Sequence, residues 1–186
     1  MGTRCDWAEN NLSEQHYHDT EWGRPVHDDT ILFEYLILES MQAGLSWSTI
    51  LKKRETLTKA YSHWDYQKIS DYNEQDVTRL LNNPGVIRHK LKIKSAITNA
   101  QAFMIVQREF SSFDSYLWGF VNNQPIINHW QSITEVPSRT DLSDEISKDL
   151  KKRGFKFLGS TTVYAYLQAT GIIDDHLDTC FIREKE

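Results

Sequence analysis

The sequence predicts an all-α fold, and three observations carry that prediction. Apolar segments at helical spacing are bracketed by Asp, Asn or Ser in front and by Gly behind. Near the C-terminus one such helix runs through a tight glycine-bounded hairpin into another. Pro and Gly are otherwise few, and no internal repeat or low-complexity linker divides the 186 residues. That length suits a single domain, residues 1–186, with a sizeable core.

The elements follow in order. Residues 1–27 lack periodicity and read as a loop-rich arm with short helical turns. Asp28 or Asp29 caps a helix to about Gln42, rich in Ile31, Leu32, Phe33, Leu36, Ile37 and Leu38, which Gly44 ends. Ser46 caps a second helix carrying Trp47, Ile50, Leu51, Leu57 and Tyr61. Asn73 caps a short helix over 74–82, whose Glu74 and Asp76 complement the N-terminal dipole; Asn83-Pro84-Gly85 stops it. A long helix over about 87–107 turns Leu91, Ala96, Ile97, Ala100, Phe103 and Met104 inward. Another spans 113–121, and 122–140 reads as irregular. Leu142–Arg153 is a helix with Ile146 and Leu150 inward. Lys151, Lys152 and Arg153 suit its negative end, and Gly154 is its C′ residue. After Phe155-Lys156-Phe157-Leu158-Gly159, Ser160 caps a last helix, which Gly171 ends.

Composition narrows the function. Charged residues make up 25%, hydrophobic residues 39%, and the net charge is −5, which argues against coating nucleic acid non-specifically. No run approaches a membrane span, and the polar first residues are unlike a signal peptide, so the expected location is the cytoplasm. Basic residues nevertheless cluster at 52–54, 88–94 and 151–156. A hairpin's amides beside a helix N-terminus form an anion site without base contacts, so residues 151–171 outline a reader of the DNA backbone. An ordinary αα-hairpin would look the same.

Both cysteines sit near the ends, each with a histidine at ligand spacing: Cys5 with His18, and His176 with Cys180. One helical turn would put the second pair on one face. Two thiolates and two imidazoles suffice for a closed tetrahedral zinc site. A disulfide, or a buried free thiol, fits the same spacing.

Glu39 lies on the wrong face of its helix. It falls about 140° from Glu34, on a stripe with Leu32, Tyr35 and Leu36. A carboxylate there costs several kcal/mol unless it has a partner. That partner is a buried cation, a backbone amide or a ligand. Trp7, Tyr17, Trp22 and Trp47 fall in the least regular stretches nearby, as pocket walls do. An aromatic slot with one buried carboxylate suits a flat, cationic, hydrogen-bond-donating molecule such as an alkylated purine.

These residues fall in a collinear set: Cys5-Asp-Trp7, Tyr17-His18-Asp-Thr-Glu-Trp22-Gly23, Glu39-Ser-Met-Gln42-Ala-Gly-Leu-Ser-Trp47, Leu51-Lys-Lys-Arg-Glu55, Ile87-Arg-His-Lys90, Lys152-Arg-Gly-Phe-Lys-Phe-Leu-Gly159, and Gln168 through His176 to Cys180. In that order they resemble the bacterial 3-methyladenine DNA glycosylase I family of the helix-hairpin-helix glycosylase superfamily. The poorly matching stretches, 56–75 and 108–135, would be variable loops and surface.

The resemblance implies a monomeric repair enzyme that hydrolyses the N-glycosidic bond of 3-methyladenine in double-stranded DNA, without lyase activity. It assigns Cys5, His18, His176 and Cys180 to one structural zinc joining 1–27 to 172–186. Glu39 becomes the carboxylate that hydrogen-bonds the extruded base. Tyr17 and Trp47 become the aromatic walls, supported by Trp7 and Trp22. Gly44 and Leu45 approach the gap left by the flipped nucleotide, and Arg153, Gly154, Lys156, Gly159 and Ser160 meet DNA. Asp174 and Asp175 lie where the superfamily commonly has a catalytic Asp, but this family is thought to lack it. A zinc hydrolase or deaminase fails on pattern, with no H-E-x-x-H and no H-x-E before P-C-x-x-C. A helical zinc module that binds damaged DNA without cleaving it stands as the non-enzymatic rival.

Overall fold

The computed structural model describes residues 3–183. Its α-helices are α1 (Leu12–Thr20), α2 (Asp29–Met41), α3 (Trp47–Ala60), α4 (Tyr66–Ser70), α5 (Glu74–Leu81), α6 (Lys90–Phe110), α7 (Phe113–Gly119), α8 (Asp141–Lys152) and α9 (Ser160–Ala169). Two short strands, β1 (Ile126–Ile127) and β2 (Ile173–Asp174), pair in parallel. No helix among the described residues is long and apolar enough to cross a membrane.

Helix α2 is the spine. Every residue from Tyr35 to Met41 is buried, because α3, α6, α7 and α9 pack around it. Phe33 meets Phe103 edge-on at 5.2 Å, and Phe103 stacks on Phe113 at 4.3 Å. Burying each such ring contributes roughly 1.5–3 kcal/mol. The Tyr166 hydroxyl on α9 donates to the Leu32 carbonyl of α2 at 2.8 Å. In the same first turn, the Asp29 carboxylate accepts the Phe113 and Asp114 amides at 2.9 and 2.8 Å, which ties α7 to the start of α2.

The hairpin after α8 is built as the sequence suggests. Gly154 has φ +93°, a left-handed conformation that a side chain would strain. The Phe155 amide donates to the Leu150 carbonyl and the Gly154 amide to that of Lys151, each at 3.1 Å, which is a Schellman closure. The buried Asn99 side chain on α6 then grips Lys156 twice. It donates to the Lys156 carbonyl at 3.0 Å and accepts its amide at 2.8 Å.

Several expectations change. The N-terminal arm contains a 3-10 turn at Asp6–Asn10 and all of α1, which Asn11 caps by accepting the Glu14 amide at 3.0 Å. Segment 56–75 holds α4 as well as the end of α3. Helix α6 begins at Lys90, and Leu91 in its first turn is 63% exposed rather than inward. Gly159, not Ser160, is the N-cap of α9; the Ser160 hydroxyl instead pairs with that of Ser143 on α8 at 2.8 Å. His176 and Cys180 are not on a helix. They lie in a turn after β2, closed by the Cys180 amide on the Leu177 carbonyl at 2.8 Å.

Candidate active site

Two buried centres share α1. Tyr17 and His18 are consecutive, so their side chains leave the helix about 100° apart. Tyr17 enters a cavity and His18 enters a cluster of sulfur and nitrogen ligands.

The cavity encloses about 200 Å³, below the roughly 300–1,000 Å³ of drug-sized sites. Trp7, Tyr17, Trp22, Glu39 and Trp47 all line it, so the structure brings together the five residues singled out from the sequence. The α1 segment supplies Tyr17, the last turn of α2 supplies Glu39, and the first turn of α3 supplies Trp47. The Tyr17 and Trp47 rings are 5.3 Å apart, inclined at 52°. Trp7 and Trp22 meet edge to face at 5.0 Å.

The wall is apolar, yet three polar atoms on it are buried without a hydrogen bond: Tyr17 Oη, Glu39 Oε2 and Trp47 Nε1. Each such atom costs roughly 1–3 kcal/mol. Burial alone pushes the Glu39 carboxyl up to about 8, and no neighbouring cation opposes it. Burial also pushes the Tyr17 phenol well up, with the Glu39 charge adding to it. The second carboxylate oxygen, the phenol and the indole N–H thus have no hydrogen-bond partner among the described residues.

A second cleft of about 360 Å³ shares Glu39 and Gln42 with the cavity and continues along Ala43, Gly44 and Leu45 to Thr161 and Thr162 on α9. The loop that bears Gly44 and Leu45 is exposed, but its stem is fixed. Buried Lys92 donates to the Met41 and Ala43 carbonyls at 2.8 and 2.6 Å, so it covers the exposed C-terminal carbonyls of α2. Burial lowers the Lys92 pKa.

The ligand cluster comprises Cys5, His18 and Cys180, whose candidate donor atoms all lie within 4.8 Å of one another. Cys180 Sγ is 3.5 Å from His18 Nε2, and all three residues are buried. Hydrogen bonding from Cys5, followed by His18, lowers the Cys180 thiol pKa. His176 stands beside this group, its ring 5.0 Å from that of His18. Its Nδ1 is 2.7 Å from Asp174 Oδ1, and its Nε2 is buried without a partner. Gly23 permits this packing, since a Cβ there would stand 2.6 Å from the His176 ring. Both imidazoles are oriented from behind. His18 Nδ1 meets Asp19 at 2.9 Å, which Arg4 grips, and Asp174 is gripped by Arg183 at 2.7 Å.

The hairpin residues fare unequally. Gly154, Lys156, Gly159 and Ser160 lie on one turn-rich surface, and Lys156 and Gly159 are exposed. Arg153 is half-buried: its guanidinium bonds Asp149 at 2.7 Å and Glu109 at 2.6 Å and lies over the Phe110 and Tyr116 rings.

Four further residues line this region that the sequence did not assign to the pocket. Gln168 and Asp175 line the cavity from α9 and the turn after β2, while Ile133 and Val136 close it from the irregular 122–140 segment. Gln168 and Asp175 do fall inside the Gln168–His176 motif, and Asp175 is one of the two acids noted there, without an assigned role.

The methyladenine glycosylase family model matches residues 7–184. A DNA-3-methyladenine glycosylase of Haemophilus influenzae is 43% identical over 180 residues, covering 97% of each chain. The DNA-3-methyladenine glycosylase 1 of Escherichia coli K12 is also 43% identical, covering 95% of each. A crystal structure of a 3-methyladenine DNA glycosylase I superposes with TM-score 0.93 at 45% identity, over 96% of this chain and 98% of that one.

Proposed function

This chain belongs to the methyladenine glycosylase family, and from that premise we propose that its cavity receives 3-methyladenine flipped out of duplex DNA for hydrolysis of the N-glycosidic bond. The observation that carries this reading is the convergence of three unpartnered buried polar atoms, one of them a carboxylate oxygen, on a single small aromatic cavity. A relative at 36% identity and TM-score 0.92 has been solved in complex with 3-methyladenine.

Extrusion costs a few kcal/mol of lost stacking. Stacking in the slot offsets this by roughly 1–3 kcal/mol. Methylation at N3 leaves the base cationic within DNA. Glu39 meets that charge as a carboxylate, so binding draws the carboxyl from neutral toward ionised. The C1′–N9 bond then breaks heterolytically. The base keeps the electron pair and leaves neutral, the sugar becomes oxocarbenium-like, and water adds to C1′ with loss of a proton. Unmethylated adenine brings no positive charge and leaves Glu39 buried without its counter-ion, which is the source of discrimination. Gly44 and Leu45 face the vacated stack, and the hairpin from Gly154 to Ser160 holds backbone phosphates. The protein acts as a monomer and leaves the strand unbroken.

His176 Nε2 completes a two-sulfur, two-nitrogen donor set with Cys5, His18 and Cys180, and its buried lone position fits that role. Such a set suits zinc, and four protein ligands leave it no open position for catalysis. The two carboxylates behind the imidazoles fix ring orientation, as ligand histidines require. The metal's part is to hold the two ends of the chain together.

Incubation of methylated duplex DNA with the protein is expected to release free 3-methyladenine, detected by chromatography, without an accompanying strand nick. DNA binding without base release would favour the damage-binding module. Full release by both Glu39→Gln and Glu39→Ala would remove the carboxylate from the mechanism.

A further inference from the structure

Asp175 is buried, and four donors fill its two oxygens. Asn128 Nδ2 and Trp130 Nε1 each donate to Oδ1 at 2.8 Å. The Tyr164 hydroxyl and Gln168 Nε2 donate to Oδ2, the latter at 2.8 Å. Asp175 accepts all four bonds, so the Gln168 amide is held with its nitrogen toward Asp175. Its Oε1 is left without a hydrogen-bond partner among the described residues. Gln168 lines the cavity together with Glu39, and its own backbone is pinned by the Gly23 and Gly171 amides on its carbonyl.

We infer that Gln168 is a specificity-determining residue whose Oε1 accepts a hydrogen bond from the exocyclic amine at position 6 of the methylated adenine, and that Asp175 is the positioning residue that aims it. Adenine carries an amino donor at position 6, whereas guanine carries a carbonyl acceptor there. An acceptor fixed on the wall favours the first and meets the second lone pair to lone pair. Rejection by a site built for a hydrogen bond is stronger than rejection by shape, because the wall group is left unpaired. Glu39 supplies preference for a positive charge, which methylated adenine and methylated guanine share. Gln168 supplies the distinction between the two. The inference rests on the cavity being the base site.

The test uses duplex DNA treated with a methylating agent, which carries both 3-methyladenine and 3-methylguanine. The kcat/KM for release of each is measured with the intact protein. Gln168→Met keeps the length of the side chain and leaves Asp175 three donors. It is expected to lower 3-methyladenine release about tenfold while leaving 3-methylguanine release undiminished or raised, so the ratio falls at least about tenfold. Asp175→Asn frees the amide to rotate and is expected to lower the same ratio with Gln168 still in place. An equal fall for both bases, or an unchanged ratio in Gln168→Met, would make Gln168 a structural wall residue and overturn the inference. Thermal melts of both variants separate lost folding from lost discrimination, because partial unfolding scales both rates alike. Glu39→Gln is run beside them. If it lowers both rates while the Gln168→Met ratio stays put, the Gln168 inference alone falls. If it leaves both rates untouched, the base-site reading falls with it.

Discussion

The ligand cluster and the base cavity are neighbours built from similar materials and finished differently. Trp22 stands between them, 4.7 Å from the His176 ring and lining the cavity with Trp7. Each holds a buried polar atom with no partner, His176 Nε2 on one side and Glu39 Oε2 on the other. Behind each histidine the cluster has a carboxylate, and behind each carboxylate an arginine. Glu39 has no such support, and burial raises its pKa unopposed. A group prepared from behind suits a permanent ion. A group left unsupported suits a cation that arrives, reacts and leaves neutral.

The comparison breaks most visibly in stability. If the cluster holds the proposed metal, its removal with a chelator, or replacement of Cys180 with Ser, is expected to lower Tm by about 10 °C or more, because metal binding is folding free energy. Glu39→Gln is expected to leave Tm unchanged or higher at pH 8, since it removes a buried ionisable group from an unprepared site. Differential scanning calorimetry of both variants reads the two signs side by side. Equal losses would erase the distinction between the two centres.

Activity should show the converse. Glu39→Gln is expected to reduce kcat/KM for 3-methyladenine release about 100-fold, the scale of a charge-assisted hydrogen bond lost from a buried site.

Titration sharpens the point. The folded pKa of Glu39, about 8, exceeds its unperturbed 4.5. Its contribution to stability is therefore fully present below pH 4.5 and lost as pH rises through 8. On the proposed mechanism catalysis runs the other way, since only the carboxylate meets the cation. The kcat/KM on methylated DNA should climb about tenfold per pH unit below pH 7 and level off above pH 8. A Glu39→Gln profile that kept this limb would assign the titration to another group.

The smallest effect concerns the hairpin. Arg153→Ala should change affinity for undamaged duplex DNA less than about twofold, because the guanidinium is occupied by Asp149 and Glu109. Lys156→Ala, which removes an exposed charge, should weaken binding and flatten its salt dependence. Filter binding at two salt concentrations distinguishes them.

What was legible in the sequence were residues whose type conflicts with their setting. Two cysteines each paired with a histidine, and a glutamate on an apolar stripe, announce themselves one at a time. Helix α1 did not, because its buried face is Glu14, Tyr17 and His18, which hydrophobic periodicity does not register as a core. Leu91 misled for the opposite reason: it has the right spacing but lies in a first turn that projects beyond the core. Ser160 looked like a cap because serine often is one, while an exposed glycine took the position and the hydroxyl turned to Ser143. The roles of Gln168 and Asp175 depend on Asn128, Trp130 and Tyr164 arriving from elsewhere in the chain, so no local pattern expresses them.

His18 and Cys180 are separated by 162 positions, yet they meet within 3.5 Å. At ribosomal speeds of about 5–20 residues per second, the first thiol and imidazole wait on the order of ten seconds for their counterparts to be synthesised. During that interval Trp7 and Trp22 have each other, Tyr17 and His18 to pack against, but not the His176 ring. The cluster that joins the two ends therefore closes only after residues 176–180 have been made.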